Sequence, residues 1–479
     1  MEHTYYDYWG KARFGGKDGT AYHLLPYHCL DVAAVGKVLL DLDISLNHSL
    51  THILGARTRT FLAWIPFFLA LHDVGKFAEG FQNLISDLFH LLRGKPSTRG
   101  YAVRHDALGY ALWNDSLWDR TWKEGWLGVV GDEREKGRWE RLFGYLVRSV
   151  TGHHGIPPKR RGPNNQQISA AMHFSQEETA VAEMFARDTA KILMGNFDMP
   201  ARFRAEEMRT SVATFSWLLA GITVLCDWIA SGHFELVSNP MPLVDYWHNH
   251  ALPQAQKAVA QTGVLPTKAS FSVSSSSLFP AIEILTPLQR QSSDCSIPEG
   301  PQLIILEDVT GSGKTEAALI LAHRLMKKGN GSGIFIALPT MATSNAMYER
   351  LAVSYQRMFE DGADPSLLLS HSARHLSASF RQSLIQGKKE IRDDYTIGEE
   401  TAGAYCAAWL ADNRKKSLLA DVGVGTLDQA LLAALPSRYQ SLRLFGLARN
   451  VLVVDEVHAY DPYMLTLLQN LLQFHAALG

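Results

Sequence analysis

Apolar positions in the first 250 residues recur mainly at the three- and four-residue spacing of helices. The spacing predicts helices in HCLDVAAVGKVLLDL (28–42), FLAWIPFFLALHDVGKF (61–77) and SVATFSWLLAGITVLCDWIAS (211–231). Strand-like alternation of apolar and polar residues is scarce in this part of the chain. We therefore expect residues 1–250 to form an all-α domain.

The next stretch, residues 251–278, has weak apolar periodicity, two prolines and a run of serines that ends at Ser277. Such a composition is typical of a connecting segment. We expect these residues to link two domains.

From residue 279 onward, short β-rich runs alternate with helical segments. The runs QLIILE (302–307), GIFIALP (333–339) and VLVVDE (451–456) predict strands, and EAALILAHRLMKK (316–328) predicts a helix. Because Val451 to Val454 are apolar without alternation, we expect that strand to be buried on both faces. The alternation indicates an α/β domain with a parallel sheet covered by helices over residues 279–479.

Composition limits the class of protein. The chain has 479 residues, 46% of them hydrophobic and 20% charged, with a net charge of −2, which suits a soluble protein of two or three domains without an overall basic field. The four cysteines form no CxxC pair, so we expect neither a zinc ribbon nor disulfides, and a reducing compartment fits. The longest apolar run (61–71) is too short to span a bilayer, and the polar N-terminus does not resemble a signal peptide. We expect a cytoplasmic protein without a membrane segment.

A glycine-rich turn lies between the first predicted strand of the α/β domain and the helix that follows. This context is the one in which a phosphate loop works, since backbone N–H groups at the turn and the helix N-terminus surround a phosphate. Lys314 would reach the β and γ phosphates of a nucleotide, and the Thr315 hydroxyl would bind Mg²⁺. Asp308 stands where the strict pattern has glycine, and a chance glycine turn is the alternative. The predicted nucleotide-binding residues of the loop are Thr310, Gly311, Ser312, Gly313, Lys314 and Thr315.

Two carboxylates follow the predicted strand 451–454. In an open α/β sheet, ligands bind at the carboxyl ends of strands. Asp455 would hold Mg²⁺ and Glu456 would polarise the attacking water. The alternative, a coincidental Asp-Glu pair, is weakened by the phosphate loop upstream.

These motifs together resemble those of a superfamily 2 helicase. TGSGKT (310–315) is followed by DEVH (455–458), and weaker matches occur in family order: TPLQ (286–289), ALPTMATSN (337–345) and GTLDQAL (425–431). The resemblance implies that Gln289 reads the adenine of ATP. It also implies that Thr340, Asn345 and Thr426 contact a nucleic-acid strand, and that residues 279–479 form a RecA-like lobe that uses ATP and Mg²⁺.

Histidines and aspartates in the first half of the chain form a second candidate site. His72 and Asp73 are adjacent at the end of an apolar helix, and Asp227 ends another. A charged aspartate in such a position is costly unless it is paired or bound to a metal. A mixture of imidazole and carboxylate suits Mn, Fe, Co, Ni or Zn better than calcium. A lone His-Asp pair is a weak signal, and a satisfied core histidine is the alternative for each residue taken singly.

The order His, His-Asp, His, His-His, Asp resembles the HD phosphohydrolase superfamily in its two-metal form. The resemblance implies one divalent transition metal (Mn, Fe, Co or Ni, with Mg possible) on His28, His72, Asp73 and Asp227. It implies a second on His105, His153 and His154, with Asp73 bridging. Catalytic roles would fall to His72, Asp73, Lys76 and, in the helicase half, Glu456. Lys76 either neutralises phosphate charge or is a solvated lysine, and His23 has no clear role.

An HD site followed by a helicase lobe resembles the CRISPR-associated helicase–nucleases of type I systems, closest to the subtype E branch. The fragments DYWGK (7–11), TGHHG (151–155) and VDEVHAYDPYM (454–464) support this resemblance. It implies a monomeric nuclease that cuts single-stranded DNA, joined to a 3′-to-5′ helicase and recruited by the Cascade surveillance complex. The family's Ser-Ala-Thr and second-lobe motifs are not found, so we expect an incomplete first lobe that ends after the Asp-Glu-Val-His motif. ATP-driven unwinding is then expected to be absent. Two other functions stay open: a non-catalytic fragment that docks on Cascade or DNA, and an HD phosphohydrolase acting on nucleotides.

Overall fold

The computed structural model describes residues 4–16, 19–162, 165–195, 203–352, 354–370 and 418–479. These residues divide into two compact units. The first takes in 4–42 and 54–262, and the second takes in 43–53, 263–370 and 418–479, within the described residues.

The first unit consists of helices preceded by one β-hairpin. Its elements are β1 (Trp9–Gly16), β2 (Gly19–Leu24), α1 (Leu25–Leu42), α3 (Thr58–Ala70), α4 (Glu79–Gln82), α5 (Ser86–Arg93), α6 (His105–Leu112), α7 (Trp118–Glu124), α8 (Glu133–Thr151), α9 (Ala170–His173), α10 (Gln176–Met194), α11 (Ala205–His233), α12 (Leu243–Tyr246) and α13 (Leu252–Thr262), while α2 (Ile44–Leu54) lies almost wholly in the second unit. The apolar stretches 28–42 and 211–231 lie in α1 and α11, and the stretch 61–77 forms α3 only as far as Ala70, after which His72 and Asp73 lie in a turn. These helices supply much of the buried core.

Helix α11 is long and apolar enough to cross a membrane, judged by length and composition alone. However, 72% of its most apolar window is buried inside the protein. Burial of this kind is what a core helix shows, and it explains why the helix is apolar nearly all round.

The all-α expectation for this unit misses the antiparallel pair β1–β2. Trp9 pairs with Leu24 and Lys11 with His23, with irregularities in register at both ends of the pair. Contacts with residues outside the hairpin stabilise it, because Trp9 packs on Phe81 and donates its indole N–H to the Gln82 carbonyl at 3.0 Å. Since these contacts are distant in sequence, local apolar periodicity does not reveal the strands.

The predicted linker is shorter in the structure than in the sequence analysis. Residues 252–262 form α13, which belongs to the first unit and buries Ala255, Ala258 and Val259. Alanine at three- and four-residue spacing is enough to pack a helix closely, although it gives only a weak apolar signal.

The second unit is an α/β domain with a parallel sheet, as the sequence predicts. Beyond α2 its elements are α14 (Ser275–Leu278), α15 (Pro287–Asp294), α16 (Lys314–Lys327), β3 (Gly333–Leu338), α17 (Met341–Ala352), β4 (Leu367–Ser370), β5 (Val422–Thr426), α18 (Leu427–Leu431), α19 (Gln440–Ala448), β6 (Asn450–Val454) and α20 (Pro462–Leu478). The strands have the order β4-β5-β3-β6 and all pair in parallel. Strand β3 is central and buried along its whole length.

Two strand predictions in this unit differ from the structure. Residues 302–307 adopt no strand, and Ile305 is 80% exposed. An apolar run becomes a strand only when its backbone groups join a ladder, and within the described residues this run joins none. Strand β6 forms as predicted, but Val451 to Val454 are only partly buried, because β6 is an edge strand of the described sheet.

Candidate metal centre and nucleotide loop

The first group of candidate ligands comes from α1, the turn after α3 and α11. His28 Nε2 lies 3.3 Å from His72 Nε2, 3.2 Å from Asp73 Oδ2 and 3.3 Å from Asp227 Oδ1. His72 Nε2 lies 3.2 Å from Asp73 Oδ2. All four side chains are buried.

The turn after α3 brings the second group against the first. A Cβ on Gly75 would lie 1.9 Å from the His105 carbonyl oxygen, so only glycine lets the start of α6 approach this closely. His105 Nε2 then lies 3.2 Å from Asp73 Oδ1, and His153 Nε2 lies 3.4 Å from the same oxygen. His154 Nε2 is 2.8 Å from His105 Nε2.

Asp73 is the residue that contacts both groups. Its Oδ2 faces the first group and its Oδ1 faces the second. Among the described residues neither oxygen accepts a hydrogen bond of good geometry, although both are buried. A buried carboxylate needs compensating positive charge or hydrogen bonds. Lys76 supplies charge beside Oδ2, and the imidazole nitrogens around both oxygens fit a cation on each side of Asp73.

Hydrogen bonds to the opposite ring nitrogens orient three of the imidazoles. His72 Nδ1 lies 2.9 Å from the Leu69 carbonyl oxygen, and His153 Nδ1 lies 3.2 Å from that of Val150. A carbonyl only accepts, so both histidines carry their proton on Nδ1 and present the Nε2 lone pair to the centre. His105 Nδ1 contacts the Tyr101 hydroxyl at 3.0 Å, and that hydroxyl accepts from the backbone N–H of His105 at 2.7 Å. Lone pairs that converge in this way suit metal ligation.

Shifted pKa values favour the metal-binding forms of His153, His154 and Asp73. Burial lowers the pKa of His153 to about 3 and, with the neighbouring His153 and His105 rings, lowers the pKa of His154. Burial would raise the pKa of Asp73, but Lys76 and the surrounding imidazoles outweigh it and hold that pKa well below its usual range. Neutral imidazoles beside an ionised carboxylate are a competent donor set for divalent transition metals.

Two lysines accompany the centre, and only one of them stands out in the sequence. Lys76 is buried: its Nζ lies 3.0 Å from Asp73 Oδ2 and donates to the Gly10 carbonyl at 3.1 Å. The solvated-lysine alternative therefore does not describe Lys76. Lys11, on β1, lies 3.5 Å from Asp227 Oδ1 and is 30% exposed. The pKa of Asp227, which burial would raise, is held well below its usual range by Lys11 and His28.

His23, which has no role in the sequence analysis, anchors a buried network beside the first group. The backbone N–H of Val237 donates to His23 Nδ1 at 2.8 Å, so His23 carries its proton on Nε2 and donates to Asp31 at 2.9 Å. The Tyr246 hydroxyl donates to the other Asp31 oxygen at 2.8 Å. These bonds fix the first turns of α1, where His28 lies.

In the second unit the predicted phosphate loop precedes α16 directly. Gly311 and Gly313 both have a φ of +84°, the left-handed region that favours glycine. Lys314 begins the helix and its Nζ donates to the carbonyls of Asp308 and Val309, while Thr310 and Gly311 are exposed and Ser312 and Thr315 half-buried. Glycine at these two positions suits the turn, but the strand predicted before the loop is not formed, and the binding of phosphate stays a prediction.

Gln289 lies against this loop with its side chain buried. Its Oε1 accepts from the Thr286 backbone N–H at 3.0 Å, and its Nε2 contacts the Gly313 carbonyl at 3.4 Å. The structure thus shows a contact between Gln289 and the phosphate loop, while its role in reading adenine stays a prediction.

Most of the remaining candidates lie at or just after the carboxyl ends of β3, β5 and β6, and Asn345 lies in α17. Asp455 follows β6, and its backbone N–H donates to the Ala337 carbonyl of β3 at 3.0 Å. Glu456 has a φ of +53° and its carboxylate lies 3.3 Å from His458 Nδ1. Thr340 and Asn345 are exposed, whereas Thr426, at the end of β5, is buried. Their roles in catalysis and strand binding stay predictions.

Comparison with protein families matches both halves of the chain. The family described as "Cas3, HD domain" matches residues 9–234, and "DEAD/DEAH box helicase" matches residues 286–473. These ranges contain the metal-centre candidates and the nucleotide-loop candidates, respectively.

Relatives of known name match nearly the whole chain. The "CRISPR-associated endonuclease/helicase Cas3" of Escherichia coli (strain K12) is 31% identical over 98% of this chain and 53% of its own length. The protein of the same name from Thermus thermophilus is 32% identical over 97% of this chain and 48% of its own. The chain thus spans about half the length of these relatives.

A solved structure, T. fusca Cas3 with ATP, covers 98% of this chain and 48% of its own at a TM-score of 0.71 and 26% identity. A chain of a structure described as "CRISPR RNA-guided surveillance complex, pre-nicking" is 25% identical, with a TM-score of 0.60, over 96% of this chain and 45% of its own. With its Cas3 HD domain followed by a DEAD/DEAH box helicase domain, the chain belongs to the CRISPR-associated Cas3 family.

Proposed function

We propose that this chain is a metal-dependent nuclease that cuts single-stranded DNA and is joined to an ATP-binding helicase domain. The observation that carries the proposal is Asp73, whose two buried oxygens face two separate groups of imidazoles. Two divalent ions (Mn, Fe, Co or Ni, with Mg possible) would supply Lewis acidity to a phosphodiester and activate water for its hydrolysis.

The chain's own residues would prepare that chemistry. Asp73 supplies negative charge to both sides of the centre, and the carbonyls of Leu69 and Val150 hold two imidazoles with Nε2 directed inward. Lys76 balances the charge of Asp73. Its hydrogen bond to the Gly10 carbonyl connects β1 to the turn that contains His72 and Asp73. Lys76 acts as a positioning residue, since it is buried behind the carboxylate.

In the helicase domain we propose that residues 310–315 bind the phosphates of ATP with Mg²⁺, and that Asp455 and Glu456 serve the metal and the water. Unwinding of DNA is not proposed for this chain by itself. An unwinding assay with ATP tests that expectation, and strand displacement by the purified chain would contradict it.

We further propose that the chain acts as a monomer on DNA opened by the Cascade complex in type I CRISPR interference. The likeness to the chain in the pre-nicking surveillance-complex structure supports this partner. Co-elution with Cascade bound to target DNA, and light scattering of the free chain, test the two statements.

The deciding experiment incubates the purified chain with end-labelled single-stranded DNA and Mn²⁺, Co²⁺ or Ni²⁺. Cleavage is expected with at least one metal, and its loss is expected in His72→Ala/Asp73→Ala. A matched control is Asp87→Ala/His90→Ala, which removes the same residue types from exposed positions on α5. No cleavage by folded wild-type chain would favour a docking fragment, and phosphate release from nucleotides in preference to DNA cutting would favour a nucleotide phosphohydrolase.

A further inference from the structure

Strand β1 lies directly against the helix that carries His28. A Cβ on Gly10 would lie 2.9 Å from Leu25 Cα and 3.2 Å from His28 Cβ, so the strand and the start of α1 are in close contact. The Gly10 carbonyl also accepts from the buried Lys76. The backbone position of the next residue, Lys11, is therefore well defined relative to the centre.

Lys11 differs from Lys76 in its exposure. The side chain of Lys11 is 30% exposed and that of Lys76 is 5% exposed. Lys11 Nζ lies 3.5 Å from Asp227 Oδ1, the same oxygen that lies 3.3 Å from His28 Nε2. The ammonium group thus reaches a candidate ligand from the solvent side of the centre.

A lysine in this position competes with a metal ion. A divalent cation on Asp227 and His28 would repel the ammonium, and the flexible stem of lysine allows it to move away. The nearest anion that such a centre would bring is the phosphate of its substrate, for which lysine acts as a point charge.

Resting on the proposed nuclease function, we propose that Lys11 is a substrate-binding residue that gives up Asp227 to the metal and pairs with a DNA phosphate at the centre. Lys11 thereby couples the two binding events, since metal binding makes its charge available to the strand. It contributes no ligand to the metal.

The test compares Lys11→Met with Lys11→Arg and wild type. Without DNA, Lys11→Met is expected to bind Mn²⁺ at least about threefold more tightly by titration calorimetry, because a repelling charge is lost. With Mn²⁺ it is expected to bind a labelled single-stranded oligonucleotide about tenfold more weakly by fluorescence anisotropy. The slope of log affinity against log salt concentration should become less steep, by the amount expected for the loss of about one phosphate contact. Lys11→Arg keeps the charge and should stay near wild type in DNA binding.

The opposite signs of the two effects separate this role from a structural one. A lysine that merely holds Asp227 in place would lose Mn²⁺ affinity on replacement, and that result would overturn the proposal, as would unchanged DNA affinity. Lys37→Met, which removes an exposed lysine paired with Asp41 on α1, is the matched control. Circular dichroism melting checks the fold of each variant.

Anisotropy is read within seconds of mixing, and a gel checks that the oligonucleotide is intact. Binding is thereby measured apart from cutting. A wild-type chain that binds DNA without cutting it would overturn the nuclease function, while the affinities of the Lys11 variants would still decide the role of Lys11.

Discussion

Replacing Asp73 by asparagine perturbs both halves of the centre, whereas replacing Asp227 by asparagine perturbs one. Asp73 Oδ2 lies 3.2 Å from the Nε2 atoms of His28 and His72, and Oδ1 lies 3.2 Å and 3.4 Å from those of His105 and His153. Loss of an outer-shell partner typically costs about 10–100-fold in metal affinity. Loss of the shared carboxylate should cost at least that at each position.

The same substitution destabilises the metal-free protein through Lys76. This buried ammonium loses the carboxylate 3.0 Å away and keeps its bond to the Gly10 carbonyl. Removal of one partner from a buried pair costs about 3–5 kcal/mol, so Asp73→Asn should lower the free energy of unfolding by about that amount.

Titration calorimetry with Mn²⁺ and urea unfolding measure the two effects. Wild type is expected to bind two ions per chain, Asp227→Asn to weaken one of them, and Asp73→Asn to weaken both. Asp41→Asn, on the exposed side of α1, is the control. The reasoning fails if Asp73→Asn retains both ions at wild-type affinity, or if Asp227→Asn weakens both equally.

Three further expectations follow from the structure. Lys314→Ala should abolish ATP binding, measured with a fluorescent nucleotide, and leave metal-dependent cutting of DNA unchanged. Loss of cutting would contradict the claim that the nucleotide loop and the metal centre are separate sites. Tyr101→Phe removes the hydroxyl that contacts the His105 ring and backbone, so one Mn²⁺ should bind about 10–100-fold more weakly; equal weakening of both ions would refute this. Acid should destabilise the EDTA-treated chain: burial lowers the pKa of His153 from 6.5 to about 3, so the unfolded state takes up a proton that the folded state refuses. The full stability is present above about pH 6.5 and is lost as pH falls towards 3. At pH 5 the loss in free energy of unfolding due to His153 alone is about 2 kcal/mol. Equal urea midpoints at pH 5 and 7.5 would contradict this expectation.

The candidate ligands are predicted mainly from the family resemblance of the His, His-Asp, His, His-His, Asp order, because only the aspartates carry a local signal. Asp73 follows an apolar helix, and Asp227 lies within another, where a charge is unexpected. The structure then brings all seven candidates together. The supporting residues Lys11 and Tyr101 could not be predicted in this way, since both lie in ordinary polar or loop sequence. Lys11 contacts Asp227, which is distant in the chain, and Tyr101 contacts His105 at the start of α6.

The helicase half shows the complementary difficulty. Local apolar character correctly indicated β3, whose neighbours β5 and β6 cover it on both sides. The equally apolar run 302–307 forms no strand, since strand formation depends on pairing as well as on composition. Gly311 and Gly313 have the left-handed backbone that favours glycine, while the binding of phosphate by this loop stays a prediction.

Anomalous diffraction from crystals of this chain grown or soaked with Mn²⁺ tests the central claim most directly. Two peaks are expected in the first unit, one beside His28, His72 and Asp227 and one beside His105, His153 and His154, with Asp73 between them. A single peak, peaks away from Asp73, or no peak at saturating Mn²⁺ would contradict a shared two-metal centre.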